Sequence, residues 1–87
     1  MSKVIFIYKP HSEHARAIEE YLHDFFRQTG KQLETIDPDT REGVALCEVY
    51  DIIEYPSIIA LSDDGHIQNS WRGLPPIPTI SELTYYT

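Results

Sequence analysis

An α/β fold, a four-stranded mixed sheet packed with three helices, is what this sequence predicts, on three observations. The run Val4-Ile5-Phe6-Ile7-Tyr8 is continuously β-branched and aromatic, the composition of a strand buried on both faces. Ala15, Ile18, Leu22, Phe25 and Phe26 then recur at helical spacing, with Arg16, Glu19, Glu20, His23, Asp24 and Arg27 on the other faces. Further on, Asp63-Asp64-Gly65 separates two strand-like runs and reads as a hairpin turn. The resulting order is β-α-β-α-β-β-α. Its β-α-β unit calls for a crossover that leaves two strands parallel, and the hairpin adds an antiparallel pair. Such a chain buries its apolar faces as an α/β sandwich.

Taken in order, the first strand yields at Lys9-Pro10-His11, and a helix is expected from near Ser12, whose hydroxyl can cap free backbone N–H groups. Gly30 is placed to end that helix at C′. Residues 33–36 form a short second strand closed by Asp37-Pro38-Asp39. Asp39 and Glu42 have capping-box spacing and introduce a second helix through about Tyr50, with Leu46, Val49, Tyr50 and Ile53 on its apolar side. Tyr55-Pro56-Ser57-Ile58-Ile59-Ala60-Leu61 is a strand opened by a proline. Residues 66–72 alternate, with Ile67, Asn69 and Trp71 on one side and Gln68, Ser70 and Arg72 on the other. Gly73-Leu74-Pro75-Pro76 breaks the chain, and Thr79-Ile80-Ser81-Glu82 is a capping box for a terminal helix ending at Tyr85-Tyr86.

Composition narrows the function classes. The 87 residues fit one domain, residues 1–87, and a chain of this size buries only somewhat more than ~60% of its unfolded surface. The hydrophobic share is 41%, and six Tyr, three Phe and Trp71 argue against disorder. A net charge of −7 repels phosphate backbones and speaks against nucleic-acid binding. No apolar stretch approaches the ~18 residues of a membrane span, and Met1-Ser2-Lys3 does not open a signal peptide. Cys47 is the single cysteine, which excludes an internal disulfide, a CxxC pair and a multi-cysteine metal site. A cytoplasmic location is expected.

Several stretches, in their order and spacing, resemble the thioredoxin-like fold in its minimal, glutaredoxin-sized form. Tyr50-Asp51-Ile52-Ile53-Glu54-Tyr55-Pro56-Ser57-Ile58 resembles the thioredoxin pattern Tyr-x-Ile-x-x-x-Pro-Thr-Leu. Asp64-Gly65-His66-Ile67 resembles its Asn/Asp-Gly hairpin, Trp71-Arg72-Gly73 its fourth strand, and Ile36-Asp37 the close of the strand before. Ile7-Tyr8-Lys9-Pro10 is similar to the passage from first strand to helix in glutaredoxins. The resemblance spans roughly residues 3 to 84. It implies that Pro56 is the family's cis-proline facing the active-site loop, and that the residue before it, Tyr55, pairs with an extended segment in β fashion.

The departure carries the functional expectation. The family's CxxC stands at the start of the first helix, where free N–H groups and the helix dipole stabilise a thiolate. Here the loop reads Pro10-His11-Ser12-Glu13-His14-Ala15, with His11 and His14, or Ser12 and Ala15, on the cysteine positions. Neither register supplies a thiol. The Gly-Gly-x-Asp that binds glutathione in glutaredoxins is replaced by Trp71-Arg72-Gly73-Leu74. The expected function is therefore a redox-inactive module binding a protein or peptide, without cofactor, in a groove formed by His11, Ser12, His14, Tyr55, Pro56, Trp71 and Arg72. The alternatives are a thiol-related enzyme, either a weak oxidoreductase through Cys47 or a glutathione-type transferase through Ser12, and a metal module using His11 and His14. Against metal, a stable zinc site wants three or four ligands, and His23 lies about half a turn away from His14 around the helix. Against Cys47, its sequence neighbours (Gly43, Glu48, Asp51) supply no positive charge to lower a thiol pKa.

Overall fold

A computed structural model describes residues 3–73 and 77–87; the break expected at Leu74-Pro75-Pro76 and the residues Met1-Ser2 lie outside the described residues. The elements are β1 (Lys3–Ile7), α1 (Ala15–Thr29), β2 (Glu34–Ile36), α2 (Arg41–Tyr50), β3 (Ser57–Leu61), β4 (Ile67–Arg72) and α3 (Ile80–Thr84). They form one four-stranded sheet in the order β2-β1-β3-β4. β1 runs parallel to β2 and antiparallel to β3, and β3 is antiparallel to β4 with an irregularity between Ala60 and Leu61. This is the mixed α/β architecture expected from the sequence.

Because β1 and β3 are the two inner strands, their residues are covered on both faces, as the unbroken apolar runs require. Alternation divides them between two cores. Val4, Phe6, Ile58 and Ala60 point to the α1/α3 side and meet Ile18, Phe25 and Leu83. Ile5, Ile7, Ile59 and Leu61 point to the α2 side and meet Cys47 and Ile52. On the first side the Tyr21 ring lies between Phe6 and Phe25, with centroids 5.7 and 6.5 Å away. Burial, then the nearby Glu82 carboxylate, push its hydroxyl pKa up to about 12.

Helix ends follow local chemistry, with two corrections to the expected caps. α1 begins at Ala15 rather than near Ser12, because the Ser12 hydroxyl donates to the Lys9 carbonyl at 2.5 Å and so closes a turn. His14 takes the N-cap position without a side-chain cap bond. α2 is capped by Thr40, not Asp39: Thr40 Oγ1 accepts the Gly43 N–H at 3.0 Å, while the Asp39 N–H donates to Asp37 Oδ1. Its buried positions are Gly43 and Cys47; of the residues expected on the apolar side, Leu46 and Tyr50 pack against the core, whereas Val49 and Ile53 are 73% and 80% exposed. Gly43 faces the Asp37–Pro38 turn and Cys47 the sheet, so small residues stand where α2 is approached most closely. Gly30 ends α1 at φ +73°, its N–H reaching the Phe26 carbonyl, and both arms of the Thr79/Glu82 capping box are present on α3. Gly65, at φ +85°, closes the hairpin. Among the described residues no helix is long and apolar enough to cross a membrane.

Candidate functional site

The site is built where β1 leaves the sheet and β3 enters it. Lys9, just past β1, brings its ammonium 5.6 Å from the centroid of the Tyr55 ring, a cation–π distance, and 3.8 Å from Asp39 Oδ1. The Lys9 carbonyl accepts from both the N–H and the hydroxyl of Ser12, which fixes the turn carrying His11 and Ser12 towards α1. His11 is exposed, and His14 is partly buried with its Nε2 covered and without a hydrogen-bond partner among the described residues.

On the other side of the site, residues 52–56 descend from the end of α2 to the head of β3. The Tyr55–Pro56 peptide bond is cis, and Pro56 is buried. Ser57, fully buried, ties this segment down: its hydroxyl donates to the Glu54 carbonyl at 2.6 Å and accepts the Gly73 N–H at 3.3 Å. The hydroxyl of Tyr55 lies 3.4 Å from the Ile52 carbonyl and beside the Cys47 thiol. Burial, the Cys47 contact and the Asp39 carboxylate together raise its pKa above the ordinary tyrosine value. The Tyr55 backbone, by contrast, makes no hydrogen bond to any of the described residues. Removal of the Ser57 hydroxyl takes away a part-buried partner of the Glu54 carbonyl and of the Gly73 N–H at once. Ser57→Ala is expected to lower stability by about 1–2 kcal/mol, measured by urea unfolding, with the amide signals of residues 54 and 73 shifting most.

The residues expected in the groove are thus not all brought together. Trp71 lies on the α1/α3 side, edge-on to Tyr86 with centroids 5.7 Å apart. Arg72 points the opposite way, its guanidinium donating to the carbonyls of Asp51 (2.6 Å) and Tyr50 (3.3 Å) at the C-terminus of α2. That carbonyl cluster carries the negative end of the helix, so Arg72 is a clamp on α2. Lys9 and Ser57 went unnoticed in the sequence. The signal for Ser57 was a hydroxyl directly after a proline inside an otherwise apolar run; Lys9 had none, because its partners lie on other elements.

As to thiol chemistry, Cys47 is 7% exposed, lies in the middle of α2 and faces the sheet core. As to metal, no group of three or more His, Cys, Asp and Glu side chains gathers among the described residues.

No known family model matches the sequence, and no curated protein matches it. Solved structures do match. Thioredoxin-2 of a malaria parasite, described as a component of that parasite's protein secretion machinery, superposes with a TM-score of 0.75 at 15% identity, over 98% of this chain and 82% of its own. Thioredoxin O2 from Arabidopsis thaliana gives 0.69 at 10% identity, over 98% and 70%. Thioredoxin 1 from Thermosipho africanus gives 0.64 at 14%, over 97% and 88%. The chain has a thioredoxin-like fold, and it has it without a Cys-x-x-Cys motif.

Proposed function

We propose that this protein is a redox-inactive thioredoxin-like module that binds an extended segment of a partner protein along the backbone of Tyr55. The observation that carries this reading is the Tyr55 backbone at the head of β3, which makes no hydrogen bond with any other described residue, on a segment pinned by Ser57. A strand end held rigid is a template for β-type pairing, in which main-chain bonds supply affinity and neighbouring side chains supply selectivity. The turn at His11 and Ser12, with Lys9 over the Tyr55 ring, forms the opposite side of the groove. The absence of a thiol at the start of α1 and the burial of Cys47 support the lack of disulfide chemistry. The single cysteine also suits a reducing, cytoplasmic setting.

Two measurements test this. In insulin reduction with dithiothreitol, the protein is expected to add nothing to the rate of dithiothreitol alone, before or after Cys47→Ala; turnover that disappears with Cys47→Ala would overturn the redox-inactive reading. For binding, a random peptide display library is panned on the protein, and the selected peptides are measured against Tyr55→Pro, with circular dichroism to verify its fold. Losing the Tyr55 N–H is expected to weaken those peptides by about tenfold or more, whereas equal affinity for the folded variant would sink the groove.

A further inference from the structure

Beside Tyr55, on the flank of α2, lies an open cavity of about 280 Å³ lined by Pro38, Val44, Cys47, Ile52, Ile53 and Tyr55. Its charged lining residues are Glu48 and Asp51. Val44 and Ile53 are large aliphatic side chains left exposed at this spot, which a small chain with few core residues has a reason to keep out of water. No basic side chain lines the cavity. Lys9 is engaged with Asp39 and the Tyr55 ring, and Arg72 with the carbonyls ending α2. The lining is therefore apolar apart from two carboxylates, on a chain whose net charge is −7.

We infer that this cavity selects the partner: it seats one aliphatic side chain of a cationic extended segment, whose flanking lysine or arginine residues face Glu48 and Asp51. The inference rests on the Tyr55 groove proposed above, because Tyr55 belongs to both. A segment paired with its backbone carries a neighbouring side chain to the mouth of the cavity. An aliphatic side chain fits the space, and burying it against Val44 and Ile53 supplies affinity. The carboxylates supply selection and a faster encounter, both weakened by salt.

Three short blocked peptides test the inference by calorimetry and by backbone amide shifts: one alternating lysine with valine, its glutamate–valine counterpart, and a lysine–glycine peptide. The lysine–valine peptide is expected to bind about tenfold more tightly than either of the others at low salt. Its advantage over the glutamate–valine peptide should shrink in about 0.5 M salt. Ile53→Ser, at an exposed position and so harmless to folding, is expected to weaken it about fivefold. Glu48→Gln with Asp51→Asn should cut the preference for lysine over glutamate by about fivefold. Equal binding of the lysine–glycine peptide would overturn the aliphatic seat, leaving only diffuse attraction to an acidic protein. Equal binding of the lysine–valine and glutamate–valine peptides, with the Tyr55 amide shifting in both, would overturn the charge selection while the groove stands. Shifts at Val44 and Ile53 without one at Tyr55 would uphold the cavity and overturn the groove.

Discussion

Gly43→Ala is expected to destabilise the protein by about 3 kcal/mol, although helix propensity alone favours alanine by about 1 kcal/mol. Gly43 lies where α2 crosses the turn that precedes it. A Cβ there would overlap the Asp37 carbonyl oxygen and come within 2.8 Å of both the Asp37 carbonyl carbon and Pro38 Cα. All of these are backbone atoms, so no side-chain rotation relieves the overlap. The turn is also fastened, since the Asp37 carbonyl accepts from the N–H and hydroxyl of Thr40 at 3.1 and 2.7 Å, and Thr40 Oγ1 accepts in turn from the Gly43 N–H. The helix must therefore withdraw, and with it Cys47 from the sheet and Val44 from Pro38. Urea unfolding reads the loss, with Val44→Ala, one residue on and half exposed, as a control expected to stay within about 0.5 kcal/mol. A Gly43→Ala protein as stable as the parent would mean that the turn and helix separate without cost.

Gly43 also shows where the sequence stops being legible. The order of elements, the hairpin, the glycine ending α1 and the capping box of α3 could be read from neighbours within a few residues. The parallel β1–β2 pair could be read from the handedness of its crossover, whereas the antiparallel β1–β3 pairing joins residues far apart in sequence. The phase of α2 could be read only in part. Of the expected apolar side, Leu46 and Tyr50 pack against the core while Val49 and Ile53 are exposed, and the buried positions are Gly43 and Cys47, whose small size matters only once the helix meets a turn and a sheet. The start of α1 was misplaced for a related reason: Ser12 could satisfy either the helix or the turn before it, and the Lys9 carbonyl won. At the site, Tyr55 and Pro56 stood out through resemblance, and Cys47 through being the single cysteine. The opposite directions of Trp71 and Arg72 follow from strand alternation, which sets neighbouring residues on opposite faces and so keeps the two from lining one groove. The contacts that shape the site, Lys9 on Tyr55 and Ser57 on Gly73, join residues 46 and 16 positions apart, so even the local signal at Ser57 does not name its partner.

Phe25→Ala is the substitution expected to cost most, about 4 kcal/mol. Phe25 and Phe26 both satisfy the helical spacing of α1, yet Phe25 is 0% exposed and Phe26 is 45% exposed. The Phe25 ring stacks on Tyr21 and belongs to the cluster that joins α1 to Phe6, Ile58 and Leu83. Its removal leaves a void bounded by a helix, the central strands and α3. Domains of this size have only about 5–15 kcal/mol in total, so the variant stands near the threshold of unfolding. Phe26→Ala, by the same measurement, is expected to cost under about 1 kcal/mol. The two-sided sheet makes a sharper demand. Phe25 lies on the face opposite Cys47, Ile52 and Tyr55, so at temperatures where the variant remains folded its Tyr55 and Ile53 amide signals should stay in place while those of Tyr21 and Leu83 move. Shifts of equal size on both faces would mean that the two cores do not act separately, and that the groove cannot be treated as a site carried on a rigid sheet.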